Sequence, residues 1–490
     1  MTTAISFILI LAIFLAIGIA SARKATGSRT DYYLASRNVR PWLVGLSAVA
    51  TNNSGYMFIG VIGFTYETGL AAIWLMIGWI LGDFAGSTFI HRRLRQATSA
   101  TGEASYASVI ARWYGETFGV WRRIAAVIMV VFLIAYAGAQ ISAGGKALEG
   151  VLGIDQRAGA IAVATLVLIY SIVGGIRASI WTDGAQAIVM MGAMAVLLAA
   201  GVAGFGGIGG VVEAWKGVPG YLDLFPDDLL LPGAAGMGLF ILGWLFAGFS
   251  VVGQPHIMVR FMALDDDRHM VRARAWYYSY FTVFYLLATG VGMLSRVYLP
   301  ELSSIDPELA LPLMALELLP SVLVGLILAG IFAATMSTAD SLVLSSSAAF
   351  THDLVPQRLE TTLMLKLATA IAVAVALALA LSENRSVFSL VILAWSTLAA
   401  AFAPLLALYA LRRRVSQTTA VLMLVTGVSI ALFWRFGLGW HESVYEGLPG
   451  IAVPLVVGFL LSAPQSGKTK STDERPQLRQ PPREGNVSGN

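Results

Sequence analysis

Two of the bilayer-length apolar stretches in this chain are interrupted at mid-depth by polar or glycine-rich residues. The first interruption is Thr51-Asn52-Asn53-Ser54-Gly55, inside the run from Trp42 to Phe64. The second is Gly248-Phe249-Ser250-Val251-Val252-Gly253-Gln254-Pro255, after Gly236 to Phe246. Hydrocarbon offers no water to a bare N–H or C=O. An interrupted helix therefore survives only where protein or a cavity satisfies the freed groups. Two interrupted spans in corresponding halves of a chain are the sequence mark of a transporter's binding site.

Composition agrees with a membrane body. Of 490 residues, 57% are hydrophobic and 12% charged, about half the charge of a soluble domain. Mean hydropathy is +0.75. The chain has no cysteine, which excludes disulfides, thiol catalysis and Cys-ligated metals. A net charge of +4 does not point to nucleic acid, because the cations fall in short loops between apolar runs, where topology explains them. The first apolar run, Ile5 to Ala20, lacks a basic leader and is followed by Arg23 and Lys24. It reads as a retained helix with its N-terminus outside, not a cleaved signal.

At about 20 residues per crossing, thirteen candidate spans follow: 4–22, 42–66, 70–90, 120–145, 157–175, 184–205, 235–256, 276–298, 318–348, 363–381, 387–410, 418–436 and 447–463. The odd-numbered loops hold most of the cations. These include Arg23, Lys24, Arg37, Arg40, Arg92, Arg93, Arg95, Arg112, Arg177, Arg260, Arg268, Arg358 and Arg412 to Arg414, while loop six carries Glu213, Asp223, Asp227 and Asp228. The positive-inside rule then places the N-terminus outside and the C-terminus in the cytoplasm of a plasma (inner) membrane protein. Residues 1–464 read as one polytopic unit, and Gln465 to Asn490 as a disordered cytoplasmic tail.

Spans two to six (about 42–205) and seven to eleven (about 235–410) form two units of five, each opening with an interrupted helix. Five is odd, so the units run oppositely through the membrane. This is the 5+5 inverted repeat of LeuT-like transporters, and the fold class is all-α integral membrane.

Span nine carries Ala334-Thr335-Met336-Ser337-Thr338-Ala339-Asp340-Ser341, and Ser337, Ser341 and Ser345 share a face. Such hydroxyls bond back to carbonyls one turn earlier or ease close helix contact. Neighbouring hydroxyls near mid-membrane also suit a hard monovalent cation, which prefers neutral oxygens. The break near Ala50 to Ser54 can add free carbonyls. Among other intramembrane ionisable groups, Asp83 is either interfacial or functional, and Asp340 sits one turn from Ser337. Gly204 to Gly209 spells a dinucleotide fingerprint without a βαβ unit and is set aside.

The chain resembles the sodium/solute symporter family, which includes sodium/proline and sodium/galactose symporters. The resemblance rests on Ala50 to Tyr56, Gly174-Gly175…Trp181-Thr182-Asp183, Gln254-Pro255-His256…Arg260-Phe261-Met262 and Met336 to Ser341. It implies sodium held by carbonyls of Ala50, Asn53 and Ala334 and hydroxyls of Ser337 and Thr338. It links Asp183, at the start of span six, to sodium transit; an N-cap is the plain alternative, and Asp340 is a second candidate ion residue. Two departures from the proline-symporter pattern stand out. Asn52 replaces an aspartate, and the aligned Trp and Tyr before Gln254 are missing, with Trp244 and Phe249 nearby.

The expected function is sodium-coupled symport of a small solute by alternating access, with no cofactor beyond the coupling ion. The solute pocket is expected among Asn52, Ser54, Tyr56, Trp244, Phe249 and Gln254. With no Arg, Lys, Asp or Glu in either break, an amino acid such as proline or a related small carboxylate is favoured. The alternatives are sugar uptake, proton coupling through Asp183 or Asp340, and a transporter-like sensor. An enzyme would need nucleophiles or metal ligands, and the His residues are scattered. The expected partners are solute, sodium and the lipid bilayer, not nucleic acid; the sequence leaves oligomeric state open.

Overall fold

A computed structural model of the chain describes residues 1–22, 29–304, 306–356, 361–382 and 386–464. The tail at 465–490 and the loop cations Arg23, Lys24 and Arg358 lie outside the described residues. The membrane body is built from α1 (Thr2–Ala22), α2 (Pro41–Gly55), α3 (Val61–Thr68), α4 (Ile73–Thr101), α5 (Gly119–Leu152), α6 (Gln156–Gly204), α7 (Gly233–Phe249), α8 (Pro255–Met262), α9 (Met270–Tyr298), α10 (Ser321–Ala348), α11 (Thr362–Ser382), α12 (Val387–Ala410), α13 (Gln417–Leu432) and α14 (Gly447–Leu461).

Among the described residues, ten helical stretches are long and apolar enough to cross a membrane, and Gln156–Ile169 and Gly447–Leu461 are shorter apolar helices. One of the ten, Pro41–Thr101, covers 61 residues. As a straight helix that would be about 90 Å long, against a hydrocarbon core of about 30 Å. It is broken at Gly69, whose φ of +64° takes the backbone out of the helical region. α6 is likewise broken at Gly175 (φ 55°, ψ −169°). Both breaks use glycine because no Cβ opposes a positive φ.

The burial pattern sorts the helices into layers. In the most apolar window of α10 and of α12, 83% of residues are buried, against 17% in α1. α10 and α12 therefore form the centre. α1 turns Ile5, Ile8, Leu9 and Ile13 outward, as lipid contact requires.

Side-chain bonds gather the loops at two opposite ends. At one end Arg37 reaches the Thr98 carbonyl (3.3 Å), Arg95 the Leu264 carbonyl (2.6 Å), Arg92 pairs with Asp267 (2.9 Å) and Arg177 with Asp31. At the other end Tyr66 reaches the Leu299 carbonyl (2.6 Å), Tyr298 that of Gly201 (2.8 Å), and Lys146 pairs with Asp306 and Glu308 (2.8 and 2.7 Å). Loops one, three, five and seven of the charge grouping thus share one end. The entries to α2 and exit of α8 are tied there by a parallel bridge between Val39 and Leu264.

Candidate functional site: a hydroxyl and carbonyl cradle beside two broken helices

The first break centres on Ser54, a non-glycine residue at φ 51°, ψ 179°. Such a conformation costs about 1–3 kcal/mol and persists only where surroundings impose it. Here they do. The Gly55 N–H donates to Gln140 Oε1 of α5 (2.8 Å), the Tyr56 N–H to Ser54 Oγ (3.1 Å), and Tyr136 Oη to Ser54 Oγ (3.2 Å). Gly55 also lets the break lie against α10. A Cβ there would sit 2.5 Å from Thr335 Cγ2 and 2.9 Å from Gln140 Oε1.

Against this break α10 sets its two hydroxyls. Ser337 Oγ lies 3.2 Å from both the Ala50 and the Ala334 carbonyl oxygens, and Thr338 Oγ1 donates to the Thr51 carbonyl at 2.9 Å. The Asn53 carbonyl, one turn on, receives the Tyr56 N–H. The Asn53 side chain is buried with neither its nitrogen nor its oxygen partnered. Three of the five residues named for sodium, Ala50, Ala334 and Ser337, are therefore linked directly, Thr338 is bonded to the same break through Thr51, and Asn53 flanks them. Every oxygen in this group is neutral. A bare monovalent cation can replace the Ser337 and Thr338 hydrogen bonds by ion–oxygen contacts without a burial penalty for an anionic ligand.

Beneath the cradle the serine face of α10 continues through an ion pair. Arg260 on α8 lies 3.4 Å from Asp183 and donates to Ser179 Oγ (3.0 Å) and to Ser341 Oγ. Asp183 also accepts from Ser47 Oγ of α2 (2.6 Å), and Asp340 from Ser171 Oγ (2.6 Å). A narrow pocket of about 30 Å³ bordered by Tyr32, Pro255, Arg260, Leu344 and Ser345 opens below. The sequence put Asp183 at the start of span six, with an N-cap as the plain reading. The structure corrects this. The second arm of α6 begins at Gly175, so Asp183 is eight residues inside it and bonds side chains of α2 and α8. Asp83, read as interfacial or functional, has no exposed surface.

The second break is a 3-10 turn, Ser250–Gly253, followed by extended Gln254. Its freed carbonyls are met by side chains: Gln254 Nε2 donates to that of Ser250 (3.1 Å), Trp395 Nε1 to that of Ala247 (3.1 Å) and Tyr106 Oη to that of Val252, while Gln254 Nε2 also reaches the Trp395 carbonyl of α12 (2.9 Å). Between the two breaks runs a column of aromatic rings. Phe64 stacks on Phe388 (4.9 Å), Phe388 on Tyr56 (5.3 Å), Tyr56 meets Trp79 (5.7 Å), Trp79 meets Trp395 (5.3 Å), and His256 lies edge-on to Tyr136 (5.5 Å). The column carries buried polar tips with no partner: Tyr56 Oη, Tyr285 Oη, Gln140 Nε2, Gln254 Oε1 and both His256 nitrogens. Unpartnered buried groups are costly, and their concentration here makes this the place where a polar ligand would be welcome.

Of the residues proposed for the solute, Ser54, Tyr56 and Gln254 border this column. Asn52 sits behind it, bonded to Tyr277. Trp244 lies further out, bordering a pocket of about 270 Å³ with Phe64, Phe388, Arg435 and Tyr445. Phe249 turns away, toward Gly86 of α4 and Phe246. The sequence reading did not single out Trp79, Tyr136, Gln140, Phe388 or Trp395. Gln140 had a signal, as a lone amide in the middle of an apolar span; the aromatics had none that set them apart from lipid-facing rings.

Residues 32–427 match the profile of the sodium:solute symporter family. A sodium/proline symporter of Staphylococcus aureus is 29% identical over 473 residues, covering 92% of this chain and 90% of that protein. Among solved structures, a sodium-coupled sialic acid symporter in a substrate-bound outward-open state superposes with a TM-score of 0.78 at 19% identity, over 94% of this chain and 97% of that one. A nucleobase-cation-symport-1 family transporter, closed around bromovinylhydantoin, gives 0.57 at 12% identity, over 88% and 93%. At these identities the two structures speak for the fold alone, which is that of the LeuT-like transporters.

Proposed function

The chain belongs to the sodium:solute symporter family, and on that premise we propose that the solute it carries is a small amino acid of the proline type or a related small carboxylate. It is a membrane transporter, not an enzyme, and couples solute movement to sodium. The observation that carries the reading is the position of Ser337 Oγ, 3.2 Å from two main-chain carbonyls of different helices. In this reading Ala50, Asn53 and Ala334 give carbonyl oxygens to sodium, and Ser337 and Thr338 give hydroxyls. Asp183 and Asp340 line the ion's inward exit. Sodium closes the cradle by joining the first break to α10. The solute pocket beside that break is then completed, and the two binding free energies are linked.

The solute reading follows from what faces the column. The aromatic faces suit a compact apolar body, and no cation or carboxylate of either break competes. A solute carboxylate would be met by the N-terminal end of a half-helix and by the positive potential of sodium. The staphylococcal proline symporter, similar over most of its length, supports it. The unpartnered Gln140 Nε2 and Gln254 Oε1 favour a second reading, a sugar, which needs several such groups. The proposed architecture has thirteen crossings, counting both arms on either side of Gly69 and of Gly175. In it, inverted repeats span about 42–205 and 235–410, the cation-rich end is cytoplasmic, the N-terminus is external, and 465–490 is a cytoplasmic tail. Competition in sodium-loaded uptake assays tests the solute. Neutral amino acids and small carboxylates should displace a radiolabelled proline; displacement by sugars alone would overturn the assignment.

A further inference from the structure

Asp83 on α4 is fully buried, far from either break in sequence, and used by nothing described so far. Its Oδ2 accepts from Tyr277 Oη at 2.7 Å, and its Oδ1 has no partner. The same phenol oxygen accepts from Asn52 Nδ2 at 2.5 Å. Asn52 is the residue after Thr51, whose carbonyl holds Thr338, and before Asn53. Asn52 Oδ1 is buried and unpartnered as well. Three helices thus contribute one chain: carboxylate, phenol, amide, cradle. Gly45 makes the reach possible, since a Cβ there would meet the Ala273 carbonyl of α9 at 2.5 Å and the Tyr277 nitrogen at 3.0 Å.

The cradle itself is built of neutral oxygens, and the first break contains no charged residue. A buried carboxylate is expensive in a membrane unless it serves something, and Tyr277 alone would be satisfied by any neutral acceptor. We propose that Asp83 is the negative charge of the sodium site, transmitted to the first break by Tyr277 and Asn52. The inference rests on the sodium reading of the cradle. A charged acceptor strengthens the hydrogen bond that Tyr277 donates, which makes the phenol oxygen a better acceptor for Asn52 and turns the amide oxygen more negative. The charge also acts directly through a medium of low dielectric constant. Asp83 is a positioning residue here: it does not touch the ion.

The test is uptake of labelled proline into proteoliposomes as a function of sodium, with the full chain. Asp83→Asn keeps the shape and removes the charge. It should raise the half-saturating sodium concentration about fivefold or more, as expected for a unit charge acting across a few residues of low-dielectric protein, while the rate at saturating sodium falls much less. Tyr277→Phe, which keeps the ring and cuts the relay, should shift sodium dependence the same way and covers the case in which Asp83→Asn does not fold. Moving the carboxylate to the other end of the phenol, in the Asn52→Asp, Asp83→Asn double variant, should restore the wild-type sodium curve. Unchanged half-saturating sodium in both single variants overturns the proposal, as does a fall in maximal rate alone, or a double variant no better than Asp83→Asn. A wild-type chain that ignores sodium would instead overturn the sodium reading beneath it.

Discussion

Thr338 and Ser337 bond to carbonyls on another helix and not only to their own, and this separates them from the other α10 hydroxyls. Thr335 and Ser341 bond back to Phe332 and Ser337, within their own helix. We expect Thr338→Ala to raise the sodium concentration needed for half-maximal uptake by roughly tenfold, as the loss of about 1.4 kcal/mol would. Ser337→Ala with Thr338→Ala should abolish sodium dependence while leaving membrane insertion intact; an unshifted sodium curve in the double variant would remove both from the ion site. The hydroxyl pair stood out in the sequence as two neighbouring polar side chains at mid-span, although the sequence alone equally allowed bonding back to their own helix. The role of Arg260 was not. A motif shows that an arginine is present, and only the fold shows that it reaches Ser179, Asp183 and Ser341 on two other helices. Trp244 and Phe249 were chosen by nearness in sequence to Gln254; Trp244 meets Phe64 at the end of the aromatic column (5.8 Å), whereas Phe249 packs against Gly86 of α4.

At the scale of the element, the two breaks were readable because polar and glycine residues in an apolar run have no lipid-compatible alternative. Helix ends were less readable. α4 runs on to Thr101, well past the hydrophobic run that stopped at 90, because Arg95 ties its polar end to the α8 exit and Arg37, ahead of α2, donates to the Gly102 carbonyl at its C-terminal turn. Hydropathy registers the lipid-embedded part of a helix and not the part held by tertiary bonds. The break itself can be tested through Gly55. Gly55→Ala would push a methyl to 2.5 Å from Thr335 Cγ2, an overpacking that costs about 1–3 kcal/mol. It should lower the thermal midpoint and reduce uptake, because the carbonyls of the break would move off Ser337. Gly209→Ala, with nothing within 4 Å, serves as the comparison and should leave both unchanged. Equal behaviour of the two variants would show that close contact at the break is dispensable. At the far end, Glu308 accepts from the Val387 and Phe388 N–H groups (3.0 and 2.9 Å) and pairs with Lys146, holding the end of α12 that carries Phe388 over Tyr56. Glu308→Ala leaves Lys146 and these N–H groups short of a partner. It should destabilise the protein by about 1–3 kcal/mol, read as a lower thermal midpoint in detergent; an unchanged midpoint would mean that water or Asp306 satisfies them.

At the scale of the molecule, charge patterning predicts more than any single motif. The loops carrying Arg37, Arg92, Arg95 and Arg177 meet at one end through bonds to one another's backbones and carboxylates. If that end is cytoplasmic, a reporter active only in the cytoplasm should work when fused at Asn490, and one active only outside should work at Met1; the reverse pattern would overturn the proposed orientation. The central claim is coupling. The most direct measurement is proline uptake into proteoliposomes under separately imposed sodium and proton gradients. The account predicts concentrative uptake driven by an inward sodium gradient at equal pH, lost in the Ser337→Ala, Thr338→Ala variant. Uptake driven by a pH gradient without sodium, or binding without concentrative uptake under either gradient, would contradict it.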